Sequence, residues 1–174
     1  MPKIIENLRE KLLVEAKRQV MEEGYSAMTI RSVATACGVG VGTVYNYFQS
    51  KDMLIASFML EDWLACLAVI EEGCTIEKGA EQALRCIYEE LQRFMEKYAS
   101  LFSDKDAETS SSGYLHQRHG MLREQIAKPL IPLCQKQANA KPEFVAEFIA
   151  ESMLAWTRTE HDFEEISSIL LQLF

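Results

Sequence analysis

Apolar residues recur every three to four positions along most of the chain, the spacing of helices with one buried face. The first such run spans residues 3–23, where Ile5, Leu8, Leu12, Ala16 and Val20 line up with charges between them. Gly24 follows, where a helix end favours a left-handed residue. Thr29 is a good N-cap for a short helix from Ile30 to Cys37, with Ile30, Val33, Ala34 and Cys37 on its apolar side. A third helix over 41–48 places Val44 and Phe48 on one face. Ser50 then caps "KDMLIASFMLEDWLACLAVIEE", with Asp52 favourable in the first turn. That helix is about 30 Å long, apolar on most sides and therefore central, and Gly73 ends it. Thr75 caps a further helix running to about Ser100.

The polar stretch "SDKDAETSSSG" (103–113) reads as a flexible loop. Helical spacing resumes from Tyr114, and Pro129 and Pro132 must kink or divide that element. Pro142 stands near the first position of the next helix, which carries Phe144, Val145, Phe148, Ile149 and Met153. Asp162 and Glu165 form a capping pattern for the last helix, which has no charge after Glu165. No alternation is long enough to build a sheet, so the expected fold is all-α.

Composition agrees. The chain has 174 residues, 48% of them hydrophobic, with few Gly and Pro, which suits a helical protein with a real core. "MPKIIENLREK" carries charges where a secretory leader needs an apolar core. Glu61 and Asp62 interrupt the greasiest run, so no membrane span is expected. Five scattered cysteines without a C-x-x-C pair argue against a disulfide framework or zinc site and suit a reducing cytoplasm. The net charge of −8 is uneven: residues 1–51 hold seven Lys/Arg against five Asp/Glu, and residues 52–174 hold eleven against twenty-one. A mildly basic module precedes an acidic body.

Three glycines crowd "GVGVG" at 38–42. A dinucleotide loop needs a preceding strand and a third glycine where this chain has Thr43. A Walker loop needs Gly-Lys-Ser/Thr, which is absent. Two short helices around a tight turn instead describe a helix-turn-helix, with Gly38 at the turn and Val39 plugging the space between the helices. Gly42 allows close approach of backbone to a phosphate.

"MTIRSVATACGVGVGTVYNYFQSKDML" resembles the DNA-binding region of the TetR family of bacterial repressors. The likeness covers about residues 8–55 and rests on Thr29, the Gly38-Val39 turn, "GTVYNYF" and Ser50-Lys51-Asp52. It implies that Thr29, Thr43, Tyr47 and Lys51 touch phosphates while Arg31, Gly42, Tyr45 and Asn46 face the major groove. The chemistry is sound, since Arg pairs with guanine, Asn with adenine, and hydroxyls and ammonium with phosphate oxygens. Val41 departs from the pattern, because relatives often carry Lys or another polar residue there. The helix 41–48 has no charge at all. Base readout then leans on Arg31, thymine methyl contacts (Val41 among them) and water.

The resemblance implies a DNA-binding domain over 1–50 and a helical effector-binding and dimerisation domain over 51–174. Trp63, Tyr88, Phe94, Met95, Tyr98, Phe102, Tyr114 and Met121 form an aromatic and Met-rich set suited to an apolar or aromatic small-molecule effector. Phe144, Phe148, Ile149 and Ser152, with Phe163, Ile166, Leu170 and Phe174, are the candidate homodimer surface. His116 and His119 have i, i+3 spacing, but exposed or core-satisfied histidines explain them, and no metal or other cofactor is expected. No catalytic constellation stands out. The expected function is a ligand-responsive repressor binding a palindromic DNA operator. The alternative is a helical binding or enzymatic domain in which the helix-turn-helix is scaffold.

Overall fold

The structure is a computed structural model that describes residues 6–102, 119–134, 140–157 and 159–174. The expected loop at 103–113, Tyr114 and His116 lie outside the described residues. So do residues 1–5 and with them Ile5. Among the described residues there are helices and turns and no strands. In chain order the helices are α1 (Leu8–Glu23), α2 (Ile30–Ala36), α3 (Val41–Tyr47), α4 (Lys51–Gly73), α5 (Gly79–Lys97) and α6 (Ala99–Phe102). They continue with α7, described over 119–130, α8 (Pro142–Trp156) and α9 (Phe163–Leu170), which runs on into a 3₁₀ turn (Leu171–Leu173). The chain divides into two compact units: Met1–Asp62 with Tyr98–Tyr114, and Trp63–Lys97 with Leu115–Phe174. Helix α4 therefore contributes residues to both.

In the first unit most of the expected apolar positions are buried: Leu8, Leu12, Ala16 and Val20 on α1, Ile30, Val33 and Ala34 on α2, then Val44 and Phe48, while Cys37 is half-buried. Helix α1 starts at Leu8 rather than residue 3, because Asn7 adopts a left-handed conformation with φ 57°, which Asn tolerates better than most residues. Thr29 and Ser32 cap α2 reciprocally, Thr29 Oγ1 accepting from Ser32 N at 2.9 Å and Ser32 Oγ from Thr29 N at 3.0 Å. Gly38 has φ +67° at the turn, where Val39 N bonds back to Ala34 O at 2.9 Å. A side chain at 38 would be strained there.

Ser50 caps α4 through its hydroxyl, which accepts from Met53 N at 3.1 Å. By length and composition α4 could cross a bilayer, with mean hydropathy 1.9 over its most apolar window. Leu54, Ile55, Phe58, Trp63, Cys66 and Ile70 are nevertheless buried, as in a core helix, whereas Met53, Leu60, Leu64 and Val69 remain exposed.

The second unit is built around one apolar cluster drawn from α4, α5, α7, α8 and α9. Gly73 is the last residue of α4, and a Cβ there would stand 2.8 Å from the Cβ of Cys86 on α5 and collide with its sulfur. Close approach is thus what requires glycine at 73. Helix α5 begins at Gly79, four residues past Thr75. The Thr75 carbonyl, rather than its hydroxyl, takes the N–H groups of Lys78 (3.2 Å) and Gly79 (3.1 Å) in a turn that delays the helix. It ends at Lys97, short of Ser100. Helix α7 stops at 130, next to Pro129, and Pro132 lies in the turn that follows. Pro142 occupies the first turn of α8, and Asp162 caps α9 by accepting from Glu165 N at 2.9 Å.

Candidate nucleic-acid interface

Helices α2 and α3 display the residues expected to meet DNA. Burial of Val44 and Phe48 fixes the rotation of α3, so that Gly42, Tyr45, Asn46 and Tyr47 are exposed and Val41 and Thr43 half-buried. Thr29 and Arg31 are exposed at the start of α2. The Thr29 hydroxyl accepts the Ser32 N–H, which leaves its own proton to donate. Ser32 Oγ also lies 2.5 Å from Gln19 Oε1, and Gln19 donates to Glu15 at 2.8 Å. This polar chain ties the N-terminus of α2 to α1 and holds Thr29 and Arg31 in place. Arg18 and Gln19 hydrogen bonds hold the Glu15 carboxyl below its usual range.

Lys51 is placed differently from the other candidates. Its ammonium donates to the Tyr25 carbonyl and lies 3.8 Å from the Tyr25 ring centroid. The Tyr25 hydroxyl donates to Asp52 at 2.7 Å. The first turn of α4 is thereby tied to the α1–α2 connection. Tyr25 was not among the candidates, and no local spacing relates it to residues 51 and 52. Asp62 collects Lys17 at 2.8 Å and the hydroxyl of Tyr98 at 2.5 Å, while Tyr98 stacks on Phe58 at 6.3 Å.

The aromatic and Met set is distributed over both units. Trp63, Tyr88, Phe94, Met95 and Met121 belong to the second, Tyr98 and Phe102 to the first. Trp63 meets Phe94 edge-on at 5.4 Å and donates its indole N–H to Gln125 at 2.8 Å. Tyr88 packs on Phe163 at 5.5 Å, Tyr98 is fully buried, and Met121 is exposed. In the first unit a cleft of about 120 Å³ lies among Glu10, Leu13, Val14, Lys17, Phe58, Glu61 and Asp62. It is smaller than the ~300–1,000 Å³ usual for ligand sites, and among the described residues Trp63, Tyr88, Phe94, Met95, Tyr98 and Met121 do not line it. His119 lies 2.9 Å from Glu151.

Four of the candidate dimer residues require a correction. Ile149, Phe163, Ile166 and Leu170 are buried in the core of this chain's own second unit. The apolar stripe of α9 turns inward because α5 and α8 supply a complementary surface. Phe144 and Phe148 are exposed, at 67% and 51%, Ser152 is half-buried and Phe174 partly buried against the core. Trp156 and Ile169, which were not candidates, are also exposed.

Residues 12–58, the span of this helix-turn-helix, match the sequence model of the bacterial regulatory proteins of the tetR family. This helix-turn-helix region is of the TetR type. An HTH-type transcriptional regulator from the dhlA 5′ region of Xanthobacter autotrophicus is 24% identical over 145 residues, covering 76% of this chain and 70% of its own length. The HTH-type transcriptional repressor AcnR of Corynebacterium glutamicum is 27% identical over 88 residues, 51% of this chain and 44% of AcnR, so the match spans less than half of that relative. The solved structure of Thermus thermophilus FadR, a TetR-family repressor in complex with lauroyl-CoA, superposes with a TM-score of 0.59 at 18% identity, over 95% of this chain and 92% of that one. The fold is shared across both units. With a TetR-type DNA-binding region and transcriptional regulators as its relatives, the protein is a DNA-binding transcriptional regulator and not an enzyme.

Proposed function

We propose that the protein is a cytoplasmic repressor that binds a palindromic operator as a homodimer and is released by an apolar or aromatic small molecule, with no membrane partner. The observation that carries the DNA side of this reading is the rotation of α3: Val44 and Phe48 are buried, Tyr45, Asn46 and Tyr47 are outward, and Arg31 is exposed on α2. In this reading Arg31 pairs with a guanine, Asn46 with an adenine, and Val41, Gly42 and Tyr45 meet thymine methyls and base edges. Thr29, Thr43, Tyr47 and Lys51 serve phosphates, Lys51 by exchanging the Tyr25 carbonyl for a phosphate oxygen. Functionally, residues 1–50 bind DNA and residues 51–174 bind effector and partner. Trp63, Phe94 and Met95 are the best-supported part of the effector set, because they share one unit and Trp63 and Phe94 are in contact. FadR was solved with an acyl-CoA ligand, which is compatible with an apolar effector here.

The dimer reading rests on the exposed Phe144 and Phe148, with Trp156 and Ile169, in the unit that holds α8 and α9. Exposed aromatic groups of this size mark association surfaces. A two-fold dimer presents two α3 helices to half-sites about one or more helical turns apart. Selection of binding sites from random duplex DNA tests the whole statement. A two-fold symmetric sequence should be enriched, and Asn46→Ala should lose the preference for it. Enrichment of no sequence, or of an unsymmetrical one, would sink the operator reading.

A further inference from the structure

The chain up to Asp62 holds seven Lys and Arg residues, and all but Lys3 are described. Four of the six have intramolecular partners. Arg9 reaches Glu61 at 3.0 Å and Lys17 reaches Asp62 at 2.8 Å. Arg18 pairs with Glu15 at 2.8 Å and Glu22 at 2.5 Å. Lys51 is held by the carbonyl and ring of Tyr25. Among the described residues, the Lys11 ammonium and the Arg31 guanidinium take part in no ion pair or hydrogen bond. Arg31 already has a role in base reading, and Lys51 reaches a phosphate only by giving up Tyr25, so the candidate set supplies little of the phosphate-neutralising charge that duplex binding requires.

Lys11 is well placed to supply it. It is exposed on α1, and its backbone carbonyl lies 3.7 Å from the sulfur of Cys37, the residue that ends α2. Cys37 directly precedes the Gly38 turn that launches α3. Burial and the Glu15 charge push the Cys37 thiol up, and the Lys11 charge opposes that push. We propose that Lys11 is a DNA-phosphate contact, delivered by α1 beside the helix-turn-helix turn. It fixes register and carries no sequence information. The proposal rests on α3 being the groove-facing helix.

The test is to titrate the whole chain with its selected operator and with an unrelated duplex, between about 50 and 200 mM salt. Wild type is compared with Lys11→Gln, Lys11→Arg and Asn46→Ala. Lys11→Gln should weaken both duplexes alike. It should also reduce the steepness of log affinity against log salt by about 0.9 per subunit, roughly a threefold smaller change over that salt range. Lys11→Arg should restore the wild-type slope. An unchanged slope in Lys11→Gln overturns the proposal. If Asn46→Ala keeps the operator preference, the groove assignment of α3 fails instead, whatever Lys11 does. Thermal melts of the Lys11 variants should match wild type, since this exposed ammonium has no protein partner. A lowered melting temperature with an unchanged slope would make Lys11 structural and would also overturn the idea.

Discussion

The two units of this molecule are held together by different chemistry. The first is stitched by directed polar contacts around a small core: the Thr29–Ser32 capping box, the Gln19–Ser32 link, Lys51 and Asp52 on Tyr25, and Lys17 and Tyr98 on Asp62. The second relies on apolar interdigitation, with Trp63, Ile70, Leu84, Ile87, Leu130, Ile149 and Met153 in one cluster and three cysteines buried among them. Directed contacts fix angles between short helices, which a groove-reading surface needs. Apolar packing tolerates exchange of one side chain for another of similar volume. The first unit is therefore recognisable by its residues and the second by its pattern alone.

The largest effects should come from charging the two faces of the second unit. Phe148→Glu alters an exposed position and should give folded monomers whose operator affinity falls by about a hundredfold or more, because two half-site contacts no longer act together. Leu170→Glu alters a buried one and should unfold the unit, costing about 3–5 kcal/mol or more for an uncompensated buried charge. Light scattering and tryptophan fluorescence separate the outcomes, since both tryptophans, Trp63 and Trp156, lie in the second unit. If both variants remain dimeric and folded, the assignment of inward and outward faces on α8 and α9 is wrong.

Alkali should single out the second unit next. Burial pushes the thiols of Cys66 and Cys74 up to about 12 and that of Cys134 up to about 11. In the unfolded chain they ionise near 8.5. The folded unit thus retains protons that the unfolded chain releases. This stability is fully present below about pH 8.5 and is lost as pH rises towards 11–12, by up to about 1.4 kcal/mol per thiol for each pH unit. Denaturant midpoints read by tryptophan fluorescence should fall steadily from pH 8.5 to 10.5. Replacing Cys66 and Cys74 by Ala should flatten that fall, and an equally steep profile in the double variant would refute the assignment.

A pair of glycines sharpens the contrast at smaller scale. Gly73→Ala forces a methyl into Cys86 and should cost about 1–3 kcal/mol. Gly42→Ala in α3 meets open space and should be neutral or stabilise by about 0.5–1 kcal/mol, while reducing DNA affinity. Thermal melts and binding titrations on both variants read the two effects apart. The cap is of similar size: Thr29→Ala should lower stability by about 1 kcal/mol and weaken operator and unrelated DNA alike. A loss confined to the operator would make Thr29 a base reader.

Much of the first unit was legible in the sequence because its determinants are local. A cap reaches three residues, as from Thr29 to Ser32 and Ser50 to Met53, and in the second unit from Asp162 to Glu165. The Gly38 turn and the burial of Val44 and Phe48 follow from spacing within ten residues, and they decide which side of α3 faces outward. The start of α5 was misplaced because Thr75 is an equally good signal for a cap and for a turn, and only its carbonyl bonds tell the two apart.

What the chain determined by itself is the order of helices, their caps and the outward face of α3, since each depends on residues a turn or two apart. The tertiary structure alone decided the rest. Lys51 looks like a free surface charge until Tyr25, 26 residues earlier, claims it. Tyr98 reads as an effector contact until its hydroxyl meets Asp62, 36 residues away. On α9 a stripe of Phe163, Ile166 and Leu170 fits a partner's surface or the chain's own equally well, because helical periodicity specifies a buried face but not what buries it.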